Sequence, residues 1–209
     1  MTFEGTEGSG KSTQLKLLTE RLRTEGYCVV ENQEPGATAI GKQIRRIFLD
    51  PENHEMASMT ELLLVFASRA QAAAEIVVPA LDAGHIVVSD RFTDSTLAYQ
   101  GAARGIGFTA VRRAHELALG ALWPQVTICI TVDLAEGLQR AHQRNQSAVV
   151  AESRLDEQSL DFHRRVLEGY RQIALSEPQR FRMIDGSGSM EAVAERVWRE
   201  VQALLPQRV

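Results

Sequence analysis

A glycine-rich stretch near the start of the chain fits the pattern G-x-x-x-x-G-K-[ST], in which backbone N–H groups cradle nucleotide phosphates. The residues of this predicted nucleotide-binding loop are Gly5, Thr6, Glu7, Gly8, Ser9, Gly10, Lys11 and Ser12. Glycines let the N–H groups turn inward as an anion-binding nest, and the following helix directs its positive end to the same place. We therefore predict that Lys11 reaches the β- and γ-phosphates, that the Ser12 hydroxyl binds Mg²⁺, and that Thr13 is a further phosphate ligand.

The segments around this loop alternate between strand and helix patterns. Residues 1–4 leave room for only a short first strand, and Leu15, Leu18 and Leu22 line one face of the following helix. Apolar runs at 28–30, 86–89, 126–132 and 181–184 are typical of buried parallel strands, with helical patterns between them. This order predicts an α/β fold: a P-loop NTPase three-layer α/β/α sandwich with a mostly parallel five-stranded sheet.

Three further features complete the predicted architecture. A long helical pattern at 59–78 meets a kink or restart at Pro79, and Asp133 caps a helix with Glu136 three residues later. Residues 145–153 are polar and without periodicity, which indicates a short lid. We expect residues 1–209 to form a single domain that includes this lid.

Composition restricts the class of protein and its location. The chain has 209 residues, 44% of them hydrophobic, and a formal net charge of −4, which argues against a broad nucleic-acid-binding surface. No apolar run reaches membrane-spanning length and no leader precedes the loop, so we expect a cytoplasmic protein without a membrane partner. Cys28 and Cys129 fall in predicted buried strands and are expected to be reduced core thiols.

A second candidate site lies where the third predicted strand ends. Asp90 and Arg91 follow that strand directly, and ligands of open α/β sheets bind at the carboxyl ends of the strands. This position alone makes both residues site candidates. The P-loop by itself leaves GTPases, ATPases, transporters and kinases open, although the guanine motif N-K-x-D of GTPases is absent from the sequence.

Several blocks of sequence resemble thymidylate kinases. They are residues 3–14, 34–36, 68–71 and 90–101, followed by Arg104 and Gly105, and they occur in that family's order and spacing. The resemblance implies in-line transfer of the ATP γ-phosphoryl group to dTMP with Mg²⁺, giving dTDP for dTTP biosynthesis. It also implies a homodimer, which we expect to form through the helices around 59–78 and 109–122.

The resemblance further assigns residues to the acceptor phosphate and sugar. Arg91 would bind the dTMP phosphate, while Asp90 would hold Mg²⁺ through water or orient Arg91. Glu7 would contact the sugar 3′-hydroxyl, because a carboxylate inside a phosphate-binding loop is costly unless it meets a donor. Glu34 would help to place Arg91 or metal-bound water, and Tyr99 would lie beneath the deoxyribose, where it excludes a 2′-hydroxyl.

For the thymine base, Arg69 would donate to O4, and Thr96 or Ser95 would serve N3–H. Gln100 is expected to support the base site. On the donor side, Arg140 would stack on adenine and Arg144 would reach the phosphates from the lid. The loop has no basic residue among 6–9, where some thymidylate kinases carry an Arg. The resemblance to the bacterial type therefore implies that the catalytic cation comes from the lid region, and Arg144 and Arg154 are the two candidates, which we do not rank.

The sequence departs from the family pattern at four places. Gln33 replaces an Arg before Glu-Pro-Gly, and Ala37 replaces a Gly after it. Val65 stands where a thymine-stacking aromatic is usual, so stacking is either shifted to Phe66 or weakened. The segment after the lid reads Ser153-Arg154-Leu155-Asp156 instead of Asp-Arg-Ile-Glu. Two alternatives therefore stay open: a kinase for another nucleoside monophosphate, or an inactive or regulatory ATP-binding paralogue.

Overall fold

The computed structural model describes residues 1–146 and 153–205, and for residues 144–146 only the backbone. The strands in these ranges are β1 (Thr2–Glu4), β2 (Val29–Gln33), β3 (Ile86–Asp90), β4 (Thr127–Thr131) and β5 (Phe181–Asp185). The helices are α1 (Lys11–Thr24), α2 (Ala39–Leu49), α3 (Ser58–Ala72), α4 (Val78–Asp82), α5 (Thr93–Thr96), α6 (Phe108–Leu119), α7 (Leu134–Gln146), α8 (Leu160–Ser176) and α9 (Met190–Gln202). A 3₁₀ turn spans Pro51–Asn53, and π-helical segments span Ala73–Val77 and Leu97–Ala103.

The strands form one sheet in the order β2-β3-β1-β4-β5, and each neighbouring pair is parallel. The register sets Phe3 beside Asp90 and Gln33 beside Asp90. The carboxyl ends of β1, β2 and β3 therefore meet at one edge of the sheet. This edge brings together the P-loop, the Glu34 loop and the Asp90-Arg91 pair, as the sequence predicts.

Apolar side chains cover both faces of the sheet, which confirms the predicted three-layer α/β/α fold. On one face, α1 and α9 bury a core with the strands that includes Leu18, Ile128 and Val197. On the other face, the π-helical segment Leu97–Ala103 and α8 bury a core that includes Leu97, Val166 and Phe181. The described part of the sheet is parallel throughout, and not only mostly parallel as expected.

The expectation that both cysteines are buried is wrong for one of them. Cys129 lies in β4, in the interior of the sheet, and is fully buried, and burial raises the pKa of its thiol well above the usual value. Cys28 is exposed because it precedes β2, which is an edge strand with partners on one side only. Both are free thiols, as predicted.

The helical stretch Ser58–Asp82 is more apolar than expected. Its 25 residues have a mean hydropathy of 1.5 over the best window, so by length and composition alone it could cross a membrane. It is not an unbroken apolar run, however, because the charged residues Glu61, Arg69 and Glu75 interrupt it. In this fold the stretch packs against α2 and α6 and carries the buried charged residues Glu61 and Arg69. A π-helical turn, Ala73–Val77, accommodates the predicted irregularity at Pro79, which has no N–H to donate.

Candidate active site

Two glycines of the P-loop have positive φ angles and no room for a side chain. Gly5 has a φ of 136°, and a Cβ there would lie 2.1 Å from the Ile130 carbonyl oxygen. Gly8 has a φ of 66°, and its Cβ would lie 2.0 Å from the Gly137 carbonyl oxygen. Any side chain at these two positions would therefore force the loop away from β4 and α7. Glycine allows the close backbone approach that a phosphate-binding loop needs.

Lys11 is buried at the start of α1, and its Nζ donates to the Thr6 carbonyl oxygen at 2.7 Å. Burial and the nearby Arg91 lower the pKa of Lys11 to about 8, although Glu7 and Asp90 act in the opposite direction. The ammonium is thus held over the loop, with little water around it. Ser12 and Thr13 lie exposed in the first turn of the same helix.

Ser12 and Asp90 join the P-loop to the end of β3. The Ser12 hydroxyl donates to Asp90 Oδ2 at 2.7 Å. A hydroxyl and a carboxylate are hard oxygen ligands of the kind Mg²⁺ prefers, and Mg²⁺ in nucleotide sites takes its other ligands from water and phosphate. The described residues contain no group of three or more acidic, His or Cys side chains that could hold a metal alone.

Arg91 follows β3 with a φ of 70°, the one positive value found at a non-glycine residue in the described ranges. Its guanidinium lies 3.1 Å from Glu7 Oε1, donates to Ser95 Oγ at 2.9 Å and lies over the ring of Tyr99. The side chain remains 22% exposed. Arg91 is therefore fixed from beneath and open on the side that faces the cavity.

Glu7 meets the donors that a carboxylate in this loop requires. The Tyr99 hydroxyl lies 2.6 Å from Oε1 and 2.7 Å from Oε2. Burial alone would raise the pKa of Glu7, but His163, Arg91 and Lys11 together hold it well below its usual value. The carboxylate is thus ionised. His163 is fully buried with Nδ1 3.5 Å from Glu7 Oε2, and sequence reasoning missed it.

Besides Glu7, a second carboxylate lies close to Arg91. It belongs to Glu4, which sequence reasoning missed. Glu4 is fully buried; its Oε1 accepts from the Phe92 N–H at 2.7 Å, and its Oε2 accepts from the hydroxyls of Ser95 and Tyr170. Burial, and then Asp94, raise the pKa of Glu4 to about 7. Its position as the last residue of β1 was the available signal, since strand ends line the site in this fold.

Arg69 is held by a buried network of hydrogen bonds and one ion pair. Its Nε donates to Glu34 Oε2, its Nη1 donates to Thr96 Oγ1 at 2.9 Å, and its Nη2 donates to the Phe92 carbonyl at 3.0 Å. Glu34 and Arg69 are both almost fully buried. The structure thus brings Glu34 to Arg69, whereas the sequence had placed it beside Arg91 or metal-bound water.

A cavity of about 390 Å³ connects the P-loop with this network. Its walls include the predicted site residues Glu7, Lys11, Ser12, Glu34, Arg69, Asp90, Arg91, Thr96, Tyr99 and Gln100. Arg45, which sequence reasoning missed, also lines it and donates from Nη1 to the Pro35 carbonyl at 2.9 Å. Gln33, the residue that replaces an Arg, lines the same cavity.

Val65 lines the cavity, and Phe66 does not. Helical residues four apart share a face, so Val65 lies on the same side of α3 as Arg69, and Phe66 is rotated away. Phe66 is buried in the core, edge-on to His115 with ring centroids 6.5 Å apart. The structure therefore gives no support to a shift of stacking onto Phe66.

Glu61 is a fully buried carboxylate on α3 that ties several site elements together. It accepts from Gln100 Nε2 at 2.7 Å, from Arg104 Nη2 at 3.1 Å and from Arg154 Nη1 at 2.8 Å. Arg154, expected at the phosphates, is instead buried in this ion pair and does not line the cavity. Glu61 was detectable in principle, because it lies four and eight residues before Val65 and Arg69 on one helix face.

The donor-side arginines are described only in part. The N–H groups of Ala135 and Glu136 donate to Asp133 Oδ1, as a helix cap requires, and Glu136 forms an ion pair with the exposed Arg140. Arg140 thus lies on α7, the helix whose Gly137 approaches Gly8 of the P-loop. The side chain of Arg144 and almost all of the predicted lid lie outside the described residues.

A P-loop at the edge of a parallel sheet, joined to a cavity lined by Arg45, Arg69 and Arg91, is the arrangement of a nucleotide-binding phosphotransferase. The family model for thymidylate kinase matches residues 3–197. The chain is 48% identical to a thymidylate kinase of Pelobacter propionicus over 96% of this chain and 92% of that one. It is 43% identical to a thymidylate kinase of Bacillus pumilus over 98% of this chain and 95% of that one.

A crystal structure of thymidylate kinase from Ehrlichia chaffeensis is similar in fold. It has a TM-score of 0.77 and 32% sequence identity and covers 96% of both chains. The chain belongs to the thymidylate kinase family. It is a nucleoside monophosphate kinase that phosphorylates dTMP to dTDP with ATP as the donor.

Proposed function

We propose that the cavity binds dTMP with its phosphate at Arg91 and its sugar at Glu7. The observation that carries this assignment is the contact of Arg91 with Glu7 at 3.1 Å, next to Lys11 and open to the cavity. Arg91 supplies a charge-assisted, two-pronged contact for a phosphate, and the ionised Glu7 accepts from a 3′-hydroxyl. Tyr99 holds Glu7 from below and fills the space beside the sugar 2′-position.

The base occupies the end of the cavity at Arg69, Thr96 and Gln100. Arg69 donates to a carbonyl at O4, and the Thr96 hydroxyl, which already accepts from Arg69, is free to donate elsewhere. Ser95 is the other hydroxyl considered for N3–H, but it contacts Arg91 and Glu4. Thr96 is therefore the stronger assignment. Arg45 takes over the cationic role left by Gln33.

ATP binds through the P-loop, with its phosphates on the backbone N–H groups, Lys11 and Thr13. Mg²⁺ would be held by Ser12 and, directly or through water, by Asp90, and when bound it would supply positive charge beside the phosphates. From the family resemblance we also propose that Arg140 stacks on the adenine and that Arg144 helps to bind the phosphates; the side chain of Arg144 and most of residues 145–153 lie outside the described part of the structure. These residues position the acceptor oxygen and the γ-phosphoryl group in line, which is the main requirement of phosphoryl transfer.

We further propose that the enzyme is a cytoplasmic, single-domain homodimer. Apolar side chains on α3 and α4 are about half exposed, among them Met59, Leu63 and Leu81, and Leu117 of α6 is 91% exposed. These helices are the ones expected at the dimer interface. Sedimentation of wild type and Leu63→Glu tests this proposal, since the charge should produce monomers.

The acceptor assignment is tested by ATP-dependent ADP release with dTMP, dUMP, UMP, CMP, AMP and GMP, with and without Mg²⁺. Turnover with dTMP well above dUMP supports the roles of Arg69, Thr96 and Tyr99. A different preferred acceptor would overturn those base-site roles and leave the P-loop roles standing. ATP binding without turnover of any acceptor would favour an inactive or regulatory paralogue.

A further inference from the structure

Arg154 connects the segment after the predicted lid to two walls of the acceptor cavity. Its side chain is 3% exposed, its Nε donates to the Phe48 carbonyl at 2.5 Å, and its backbone N–H donates to the Leu49 carbonyl at 3.2 Å. Its guanidinium also lies over the ring of Phe48, 5.1 Å from the centroid. Phe48 and Leu49 end α2, and both line the cavity.

The other partner of Arg154 is Glu61, which holds a residue of the proposed nucleoside site. Nη1 lies 2.8 Å from Glu61 Oε2, and Glu61 also holds Gln100, which lines the cavity. A buried carboxylate shared in this way needs its cations, because an unpaired buried charge is very costly. Moving Arg154 out to a phosphate would remove one cation from Glu61 and the donor from the Phe48 carbonyl.

Arg154 also determines where the next residues lie. Leu155 and Asp156 line the same cavity as Lys11 and Arg91, and Leu155 packs with Phe48 and Val65. Phe48, Val65 and Leu155 thus form an apolar wall at a place where α3 has no aromatic side chain facing the cavity. Arg154 meets this wall in two places. It bonds to the Phe48 carbonyl and lies over the Phe48 ring, and it directly precedes Leu155 in the chain.

We propose that Arg154 is a positioning residue that builds the nucleoside end of the acceptor site, and that it is not the cation that neutralises the transferred phosphoryl group. It fixes Phe48 from one side and Leu155 from the other, so that the apolar wall is formed before ATP binds. This proposal rests on the assignment of the cavity to dTMP.

The test is equilibrium binding of dTMP in the absence of ATP, measured by calorimetry on the full chain. For Arg154→Met we expect dTMP binding to weaken by roughly 10–100-fold, as for a misplaced positioning group, with ATP binding unchanged. A catalytic cation would give the opposite result: dTMP would bind normally without ATP, and only kcat would fall. That outcome would overturn the proposal.

One further variant and a control separate positioning from stability. Arg154→Lys keeps a charge for Glu61 but loses the Nε–H to the Phe48 carbonyl, so dTMP affinity should be intermediate. Arg165→Met, which removes an exposed ion pair with Asp161 on α8, should leave dTMP affinity unchanged. A fall in melting temperature for Arg154→Met with unchanged dTMP affinity would mean a purely structural role.

Leu155→Ala provides a route that does not disturb the buried ion pair. It should weaken dTMP binding without ATP while ATP binding stays at the wild-type value, and normal dTMP binding would contradict the proposal even if Arg154→Met did not fold. If wild type itself preferred another acceptor, the dTMP assignment would fail instead, and the same variants would be tested with that acceptor.

Discussion

The Ser12 hydroxyl donates a hydrogen bond of 2.7 Å to Asp90 Oδ2, and this bond connects the first turn of α1 to the end of β3. The two residues are 78 positions apart in the chain. If they share Mg²⁺ as proposed, Asp90→Asn should raise the Mg²⁺ concentration needed for half-maximal activity and lower kcat by roughly 10–100-fold. Asp185→Asn, at the end of β5 and bonded to Ser187, is the matched control. An unchanged Mg²⁺ titration for Asp90→Asn would exclude the metal role.

The lowered pKa of Lys11 predicts a pH dependence of ATP binding. Its pKa of about 8 in the free enzyme means that Lys11 is charged below pH 8 and becomes neutral above it. Affinity for ATP should therefore fall as the pH rises from 7 to 9 and recover on return to pH 7. Lys11→Ala should abolish turnover and remove this dependence while the fold persists. Lys16→Ala, an exposed lysine on the same helix, should retain it; a Lys11→Ala enzyme with normal turnover would refute the role.

If Glu7 accepts from the sugar 3′-hydroxyl, replacing it should impair acceptors that carry this hydroxyl more than acceptors that lack it. Glu7→Gln removes the charge that holds Arg91 and the acceptor for the sugar hydroxyl. We expect kcat/KM for dTMP to fall by roughly 100-fold, as for other groups that position the reacting atoms. The loss for 3′-deoxy-dTMP should be smaller, because that acceptor never had the contact. Equal losses for both acceptors would show that Glu7 acts through Arg91 alone.

Val65 and Phe66 form a matched pair of neighbours on α3. Phe66→Leu shortens a buried core side chain and should cost about 1 kcal/mol or more of unfolding free energy, with dTMP affinity unchanged. Val65→Ala removes two methyl groups from the cavity wall and should weaken dTMP binding by a few-fold. Urea unfolding and calorimetry measure the two effects. A loss of dTMP affinity in Phe66→Leu alone would restore Phe66 as the base contact.

The raised pKa of Glu4 predicts that the free energy of unfolding falls as the pH rises towards neutrality. Its pKa is about 7 in the folded protein and 4.5 as the ordinary value, so the folded state holds the extra proton between those pH values. The stabilisation is complete below pH 4.5 and is lost as the pH rises through 7, with a size of at most about 3 kcal/mol. Glu4→Gln should remove this slope in urea unfolding at pH 5 and 8. An unchanged slope would assign it to other groups.

The fold and the P-loop were predictable because their signals are local. The spacing of Leu15, Leu18 and Leu22 alone predicts one apolar helix face. The glycines of the loop indicate positions where the backbone takes positive φ angles. Cys28 shows the limit: a short apolar run predicts a strand, but only the sheet order shows that β2 is an edge. The sequence therefore predicts elements better than it predicts which element has neighbours on both sides.

Site residues were predictable where they belong to a sequence motif. Their contacts were not predictable where the two partners lie far apart in the chain. Arg69 and Tyr99 were named in advance, but their partners Glu34 and Glu7 lie 35 and 92 residues away. Glu61 and Arg154 are separated by 93 residues, and neither spacing nor composition joins them. The resemblance made Arg154 a candidate for the catalytic cation, and only packing shows that it is already paired with Glu61.

The left-handed backbone at Arg91 has a consequence for attempts to stabilise this enzyme. A φ of 70° is unfavourable for a long side chain and acceptable for Gly or Asn. Arg91→Gly or Arg91→Asn would relax this backbone, which stores roughly 1–3 kcal/mol of strain. Either change would also leave the buried carboxylate of Glu7 without its ion-pair partner, and breaking a buried ion pair costs roughly 3–5 kcal/mol. The Glu7 carboxylate therefore keeps the strained arginine in place, and selection for thermal stability alone should retain the guanidinium that turnover needs.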